Sequence, residues 1–257
     1  MARTPGAPTP ADHALAAELA GRAGALLLEL RRSHEPGGDP AVLRKAGDHQ
    51  SNELLLAGLA EAVPGDAVLS EESKDDPARI HASRVWIIDP LDGTREFGEP
   101  PRTDWAVHVA LTIDGAPVAG AVALPALDVV LGTDPPATLA PPSGGPVRLV
   151  VSRTRPPKAA TFLADRLGAT LVEMGSAGAK AMAVIRGEVD VYVHSGGQYE
   201  WDSCAPVAVA AAAGCHCSRI DGSPLVYNNE DPYLPDLLIC RPELAEPVLA
   251  ALADFRD

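Results

Sequence analysis

Apolar residues near the start of the chain recur every three or four positions, which is the spacing of one face of a helix. The series consists of Leu15, Leu19, Ala23, Leu26 and Leu30. It predicts an amphipathic helix with one buried side. Thr9-Pro10 is a suitable start for this helix, because proline is favoured in a first helical turn. A second helix is predicted over residues 48–62, ended by Pro64-Gly65.

Short apolar segments bounded by turn residues follow, and these predict strands. Residues 85–88 are apolar on both faces, which favours a central strand. Two segments, residues 105–113 and 118–124, are predicted to form the strands of a hairpin joined by Asp114-Gly115. Two shorter strands are predicted at residues 67–69 and 128–131. The first half therefore combines two helices with a sheet.

The second half of the chain alternates between strand and helix patterns. Strands are predicted at residues 148–152, 170–173, 189–194 and 236–240, and helices at residues 157–167, 177–186, 202–213 and 243–255. The alternation favours an α/β layered architecture. The stretch 132–146, rich in glycine and proline, marks a boundary. We therefore expect a disordered tail (1–10), an N-terminal half (11–140) and a C-terminal half (141–257), packed tightly against each other.

Composition and charge narrow the classes of function. The 257 residues are 46% hydrophobic and 22% charged, as in soluble globular proteins. With 21 Lys and Arg against 35 Asp and Glu, the net charge is −14, which argues against nucleic acid or an anionic membrane as the partner. No apolar run approaches the ~18 residues of a membrane span, and no signal-peptide core follows Met1. The four cysteines contain no Cys-x-x-Cys pair, which favours a reduced, cytoplasmic protein.

The segment 86–94 carries the most specific chemistry in the sequence. An apolar strand ends at Asp89, Pro90 fixes a turn, and Asp92 follows three positions after Asp89. Two carboxylates on one tight turn can point at the same hard cation, such as Mg²⁺. The backbone N–H groups of Gly93 and Thr94 are suited to a phosphate. The same residues also fit a plain Asp-rich turn whose side chains only cap the backbone.

Further segments, in the expected order, resemble motifs of the inositol monophosphatase family of metal-dependent, lithium-sensitive phosphatases. They are Ala46-Gly47-Asp48, Ser70-Glu71-Glu72-Ser73, Asp89-Pro90-Leu91-Asp92-Gly93-Thr94 and Glu200-Trp201-Asp202-Ser203-Cys204-Ala205-Pro206. The resemblance extends from residue 11 to the end of the chain. Residues 151–155, 175–180 and 221–227 are most similar to the CysQ-type 3′(2′),5′-bisphosphate nucleotidase branch, where the last of these segments forms a hairpin.

The resemblance implies a fold and a metal site. The fold is a five-layer αβαβα sandwich. The implied ligands of a first metal are Glu71, Asp89 and the backbone carbonyl of Leu91. Those of a second metal are Asp89, Asp92 and Asp202, and two to three Mg²⁺ ions are implied in all. Such ions would reverse the local charge of an acidic protein so that it can bind a polyanion.

The resemblance also implies in-line attack of a water molecule on phosphorus. Thr94 and Asp48 correspond to the hydroxyl–carboxylate pair that orients this water and accepts its proton, and Glu71 is placed with them among the catalytic residues. Asp202 also orients the leaving oxygen. The chain departs from the family at residues 43–48, because the threonine that usually precedes the helix-opening aspartate is missing. The segment around Asp48 therefore matches the family motif less completely than the segment around Asp89.

A second group of residues is expected to bind the substrate. Lys180 is the candidate for a second, non-scissile phosphate, and Arg153 or Arg155 adds positive charge. The other candidates are Gly93, Thr94, Ser152, Gly175, Ser176, His194 and Asp202. The alternative interpretation of Lys180 is a solvated helix residue without a role in binding. The alternative for His194 is a histidine at a strand end whose hydrogen bonds are satisfied within the protein.

The expected activity is removal of the 3′-phosphate from 3′-phosphoadenosine 5′-phosphate or its phosphosulfate, a reaction of sulfate assimilation. One alternative is hydrolysis of inositol 1-phosphate or fructose 1,6-bisphosphate. Another, from a different class, is a non-catalytic metal-dependent anion sensor. Relatives are often dimers, so a homodimer is expected. His108 and the pair Cys215 and Cys217 are interpreted as buried packing residues rather than metal ligands.

Overall fold

The computed structural model describes residues 6–35 and 37–256, and its first sheet has five strands. In spatial order they are β1 (Ala67–Ser70), β2 (Arg84–Asp92), β3 (Ala106–Ile113), β4 (Ala116–Leu124) and β5 (Val129–Gly132). Only β1 and β2 run parallel. The turn between β3 and β4 has positive φ at Asp114 (49°) and Gly115 (80°), the conformation that a tight hairpin requires. The predicted hairpin is therefore confirmed.

The second sheet also has five strands, built from the second half of the chain. They are β6 (Arg148–Ser152), β7 (Thr170–Met174), β8 (Val191–Tyr199), β9 (His216–Ser218) and β10 (Tyr233–Cys240). Their spatial order is β7-β6-β8-β10-β9. β6 pairs in parallel with β7 and β8, whereas β10 is antiparallel to both of its neighbours.

Seven α-helices lie within the described ranges. They are α1 (Pro10–Ser33), α2 (Pro40–Ala62), α3 (Thr94–Phe97), α4 (Lys158–Leu167), α5 (Ala177–Ile185), α6 (Glu200–Ala212) and α7 (Ala245–Leu252). α1 begins as predicted, because Thr9 and Asp12 form a capping box in which each side chain accepts the other's backbone N–H. None of the described helices is long and apolar enough to cross a membrane.

The helices and sheets stack in five layers. α1 and α2 cover one face of the first sheet and bury Trp86 and Val109. α5 and α6 lie between the sheets, packed against Ile87 of the first and Tyr192 of the second. α4 and α7 cover the outer face of the second sheet at Val191. This order confirms the predicted αβαβα sandwich.

The predicted start of the second helix is wrong by two turns. α2 begins at Pro40, where the carboxylate of Asp39 accepts the N–H of Ala41 at 2.9 Å. The buried face of α2 includes Gly47, Ser51 and Asn52, so hydrophobic spacing gives a weak signal there. Asp48 therefore lies in the middle of α2 rather than at its beginning.

Three smaller predictions also differ from the structure. Residues 221–227 contain no strand, so the expected hairpin is not formed. The last helix is a 3₁₀ turn (Pro242–Leu244) followed by α7, and it ends before residue 255. Residues 1–5 of the expected disordered tail lie outside the described residues, and Pro10 already belongs to α1.

Candidate active site

Three carboxylates from the two halves of the chain converge at one point. β2 carries Asp89 and Asp92 at its carboxyl end, and Asp202 lies in the first turn of α6. One oxygen of each of the three lies within 4.8 Å of the others. Asp89 is 1% exposed and Asp92 is 6% exposed. The predicted meeting of these three residues is thus observed.

Glu71 joins this cluster from the neighbouring strand. It follows β1, and its backbone N–H reaches the carbonyl oxygen of Ile88 at 3.4 Å, which keeps the chain beside β2. Its side chain is within hydrogen-bonding reach of Asp89. The group of three carboxylates does not include Glu71. Asp89 therefore lies between two groupings, Glu71 on one side and Asp92 with Asp202 on the other.

Burial and mutual repulsion perturb most of these carboxyl groups. Burial, together with the charge of Asp202, raises the pKa of Glu71 to about 7. Burial and the charge of Glu71 raise the pKa of Asp89 well above its usual value. Burial and Asp92 raise the pKa of Asp202 to about 6. A divalent cation relieves this repulsion, and an all-oxygen donor set fits a hard ion such as Mg²⁺.

Asp92 is the exception, because protein donors surround it. It accepts hydrogen bonds from the Ser176 hydroxyl and from the backbone N–H of Ala177 (3.1 Å) and Gly178 (2.6 Å) at the start of α5. Burial alone would raise its pKa, but the charge of His108 and these bonds lower it to about 2. The surroundings of Asp92 therefore favour its ionised form, whereas those of Asp89 favour protonation.

His108 is a site residue that sequence reasoning missed. Its Nδ1 donates to the carbonyl of Trp201 at 3.0 Å, and its Nε2 lies 3.1 Å from Asp92 Oδ2. Burial is the largest effect and lowers the pKa of His108, but the charge of Asp92 and the hydrogen bonds to Asp92 and Trp201 together raise it above its usual value. A Cβ at Gly178 would lie 2.0 Å from Nε2, so only glycine fits there. His108 is buried as predicted, yet it links Asp92 to the first turn of α6.

The Asp48–Thr94 pair forms despite the incomplete motif. The Thr94 hydroxyl lies 3.2 Å from Asp48 Oδ1 and 3.0 Å from the carbonyl oxygen of Leu91. Burial and the charge of Glu72 raise the pKa of Asp48 to about 6. Ser51, one turn further along α2, donates to the carbonyl of Pro90 at 2.7 Å and ties the helix to the metal-site turn. The pair opens into a cleft of about 540 Å³.

β2 does not end at Asp89 as predicted but continues to Asp92 with a register shift between the two, so Leu91 lies in the irregular end of the strand and Gly93 joins β2 to α3. The N–H of Leu91 donates to Asp89 Oδ1 at 3.0 Å, so the Leu91 carbonyl lies on the turn that Asp89 closes. Gly93 has a φ of 82°, and a Cβ there would lie 3.1 Å from Ser176 Cβ. Glycine is therefore needed for both conformation and space.

Gly175 and Ser176 are occupied by protein contacts rather than facing open space. The N–H of Gly175 donates to Asp104 at 2.5 Å, and a Cβ at Gly175 would lie 2.3 Å from Glu96. Ser176 caps α5 by accepting the N–H of Ala179 at 2.9 Å and donates to Asp92. Both residues therefore shape the site from behind Asp92, and their predicted contact with substrate stays a prediction.

The basic candidates separate into two environments. Arg153 pairs with Glu96 at 2.6 Å and Glu99 at 2.7 Å, so its charge is already compensated. Arg155 and Ser152 line a cavity of about 290 Å³ together with His194. Of the two arginines, the structure thus places Arg155 where a ligand can enter.

His194 and Lys180 both make contacts within the protein. His194 Nε2 donates to the carbonyl of Gly196 at 2.6 Å, and burial lowers the pKa of His194 to about 4, so the ring is neutral. Lys180 is 6% exposed, and its ammonium lies 5.3 Å from the centre of the Tyr192 ring. Burial lowers the pKa of Lys180, whereas Asp92 and Asp202 oppose that effect. The predicted solvated alternative for Lys180 is therefore wrong.

The sequence matches the inositol monophosphatase family over residues 12–135 and 145–255. The chain belongs to this family, as its motifs predict. It is 56% identical over 241 residues to a protein of Mycobacterium bovis named 3′-phosphoadenosine 5′-phosphate phosphatase, covering 90% of each chain. A protein of the same name from Mycobacterium leprae is 51% identical over 256 residues, 95% of this chain and 94% of the relative.

More distant relatives agree with this placement. The 3′(2′),5′-bisphosphate nucleotidase CysQ of Escherichia coli is 30% identical over 202 residues, 74% of this chain and 81% of the relative. The structure of CysQ from Bacteroides thetaiotaomicron has a TM-score of 0.76 at 27% identity, covering 90% of this chain and 97% of that one. The predicted likeness to bisphosphate nucleotidases is confirmed.

Proposed function

We propose that this chain is a Mg²⁺-dependent phosphatase that removes the 3′-phosphate of 3′-phosphoadenosine 5′-phosphate. The observation that carries the proposal is the presence of a carboxylate cluster and a buried cation in one site. Three carboxylate oxygens lie within 4.8 Å of each other. The ammonium of Lys180, a residue of α5 that is 6% exposed, carries the opposite charge near the same cluster. The names of the two mycobacterial relatives support the same substrate.

The residues that would hold Mg²⁺ are the four carboxylates of the cluster and one backbone carbonyl. Glu71, Asp89 and the Leu91 carbonyl are assigned to one ion, and Asp89, Asp92 and Asp202 to a second. A third ion beside Glu71 and Asp92 completes the proposed set of two to three. Bound Mg²⁺ supplies a Lewis acid that neutralises the phosphoryl oxygens and favours deprotonation of water.

Asp48 and Thr94 are proposed to handle the attacking water. Asp48 accepts the proton of the water, and its pKa of about 6 suits a base that works near neutral pH. Thr94 bridges Asp48 and the Leu91 carbonyl, so its hydroxyl fixes the carboxylate relative to the turn that bears Asp89. Water approaches through the cleft of about 540 Å³ beside α2. Asp202 lies on the side of the leaving ribose oxygen.

The substrate is proposed to extend from the acidic cluster towards the second sheet. The scissile phosphate lies at the carboxylates, and the second phosphate contacts Lys180. Beyond Lys180, the cavity of about 290 Å³ lined by Ser152, Arg155 and His194 is available to the remainder of the nucleotide. An inositol monophosphate has no second phosphate for Lys180. A homodimer, a cytoplasmic location and a role in sulfate assimilation stay predictions.

A substrate panel at fixed Mg²⁺ tests this proposal. Phosphate release is measured from 3′-phosphoadenosine 5′-phosphate, its phosphosulfate, inositol 1-phosphate and fructose 1,6-bisphosphate, each with and without EDTA. We expect the highest kcat/KM for the first compound and loss of all activity in EDTA. A higher kcat/KM for either non-nucleotide substrate would contradict the substrate assignment. No EDTA-sensitive release from any of the four would favour the anion sensor.

A further inference from the structure

Lys180 is a buried cation without a direct carboxylate partner. Its side chain is 6% exposed, and within residues 6–35 and 37–256 no carboxylate oxygen lies within 4.0 Å of its ammonium nitrogen. Asp92 and Asp202 act on it only from a longer distance. A buried charge ordinarily requires a partner, so another group must hold the ammonium in place.

The face of Tyr192 occupies the position where such a partner would be expected. The Lys180 ammonium lies 5.3 Å from the centre of the Tyr192 ring, within the range of a cation–π contact. Tyr192 is 1% exposed and lies in the middle strand of the second sheet, β8, paired with Ile239. The ring is thus a rigid platform for the ammonium.

Gln198 fixes this platform from its hydroxyl end. Its Nε2 donates to the Tyr192 hydroxyl at 2.6 Å, and Gln198 is itself 5% exposed. Both residues belong to β8, so one strand carries the ring and the amide that orients it. The contact leaves the aromatic face, rather than the hydroxyl, turned towards Lys180.

A π face and a carboxylate would have opposite consequences for an anionic ligand. A carboxylate at this position would neutralise Lys180 and repel an incoming phosphate. The ring attracts the ammonium through its quadrupole and brings no net charge. Lys180 therefore keeps its attraction for a phosphate while its side chain is ordered in advance.

We propose that Tyr192, oriented by Gln198, is a positioning residue that holds the Lys180 ammonium ready for the second phosphate of the substrate. This inference rests on the proposed function, because it needs Lys180 to bind that phosphate. Tyr192 acts through Lys180 and touches neither the scissile phosphate nor the metal ligands. It therefore sets the preference for a nucleotide bisphosphate over a monophosphate without altering the chemical step.

The test compares KM and kcat for 3′-phosphoadenosine 5′-phosphate with those for 3′-AMP. Tyr192→Leu removes the ring, and we expect KM for the bisphosphate to rise about 10-fold while KM for 3′-AMP and both kcat values stay within 2-fold. Tyr192→Phe keeps the ring and is expected to restore most of the preference. Gln198→Met frees the ring and is expected to raise the bisphosphate KM about 3-fold.

Tyr227→Leu is the matched control for loss of a buried tyrosine. Tyr227 is 2% exposed, and its hydroxyl lies 3.2 Å from the Ser203 hydroxyl. We expect this variant to lose thermal stability without a selective change in KM. Equal changes of KM for both substrates in Tyr192→Leu would overturn the inference. If Tyr192→Leu does not fold, an unchanged bisphosphate KM in Gln198→Met overturns it.

Lys180→Ala separates failure of this inference from failure of the proposed function. If Lys180→Ala raises KM selectively for the bisphosphate but Tyr192→Leu does not, only the positioning role of Tyr192 is wrong. If Lys180→Ala changes both substrates equally, the assignment of the second phosphate to Lys180 is wrong, and the inference is overturned with it.

Discussion

Two buried charges outside the site have partners of opposite charge, whereas two buried charges inside it do not. Outside, Asp12 contacts Arg84 at 2.7 Å, and Arg79 contacts Asp75 at 2.6 Å. Inside, Asp89 faces other carboxylates, and Lys180 faces an aromatic ring. Because those two outer pairs are compensated within the protein, the unpaired charges inside the site mark where charged ligands bind.

The same contrast is repeated within the acidic cluster. Asp92 is surrounded by donors and has its pKa lowered to about 2, whereas the pKa of Asp89 is raised well above its usual value. Asp92 thus contributes to the stability of the folded protein, and Asp89 opposes it when no cation is present. Residues of one short motif can therefore serve function at unequal cost to stability.

Substitution of Asp89 gives the largest expected effect and tests this contrast directly. In Asp89→Asn, we expect phosphate release to fall to background. In EDTA at pH 8, the same variant should unfold at a higher temperature than the wild type, because the amide removes repulsion from Glu71 and Asp92. Thermal unfolding and phosphate release are measured on the same preparation.

Asp92→Asn is the matched control, since it lies on the same turn. Its amide would face the N–H donors of Ala177 and Gly178, so we expect the free energy of unfolding to fall by about 1–3 kcal/mol. If both variants lowered the melting temperature alike, the two carboxylates would be equally satisfied, and the contrast between them would be lost.

Asp48 is expected to show the next largest effect. Asp48→Asn should reduce kcat by roughly 10²–10⁴-fold, because the amide cannot accept the proton of the attacking water. The Mg²⁺ concentration that gives half-maximal activity should stay unchanged. A parallel loss of kcat and of Mg²⁺ affinity would instead make Asp48 a metal ligand.

Lys180 is expected to show the smallest effect, confined to one substrate. Lys180→Ala should raise KM for 3′-phosphoadenosine 5′-phosphate by roughly 10–100-fold, the value of a charge-assisted hydrogen bond to a phosphate. KM for 3′-AMP should change less than 3-fold. Arg153→Ala is a suitable comparison, because Glu96 and Glu99 already compensate that arginine. A larger selective rise of the bisphosphate KM in Arg153→Ala would assign the second phosphate to Arg153 rather than to Lys180.

The sequence is most informative where the site is local. The order of strand, turn and helix at residues 84–97 follows from apolar residues, Pro90 and Gly93, so the placement of Asp89 and Asp92 could be predicted from one segment. The layers could be predicted as well, because the alternation of strands and helices in the second half is regular. The start of α2 could not, since its first two turns bury only Leu43 and Gly47, which is too few apolar residues to show a helical period.

Contacts between distant segments could not be predicted from the sequence. His108 reaches Asp92 and Trp201 only because β3 pairs with β2 and packs against α6, and a single histidine in an apolar strand carries no such information. Arg153 resembles a phosphate ligand in sequence, but folding brings Glu96 to 2.6 Å from it. The contact between Tyr192 and Lys180 could not be predicted either, because it depends on how α5 packs against β8.

The most direct test of the account is the dependence of wild-type stability on pH, with and without Mg²⁺. The pKa values of Glu71 (about 7), Asp48 (about 6) and Asp202 (about 6) are raised in the folded state from ordinary values of 4.5, 3.8 and 3.8. At these three groups the folded state then binds protons more tightly than the unfolded state, so their contribution to metal-free stability is fully present below those ordinary values. It is lost as pH rises through about 6 to 7.

Melting temperatures between pH 5 and pH 8, in EDTA and in Mg²⁺ with ionic strength matched by NaCl, report this directly. We predict that Mg²⁺ raises the melting temperature and that the rise is larger at pH 8 than at pH 5, because more carboxylates are ionised. An absence of any Mg²⁺-dependent rise across this range would contradict the claim that the carboxylates of the two halves form a divalent-cation site.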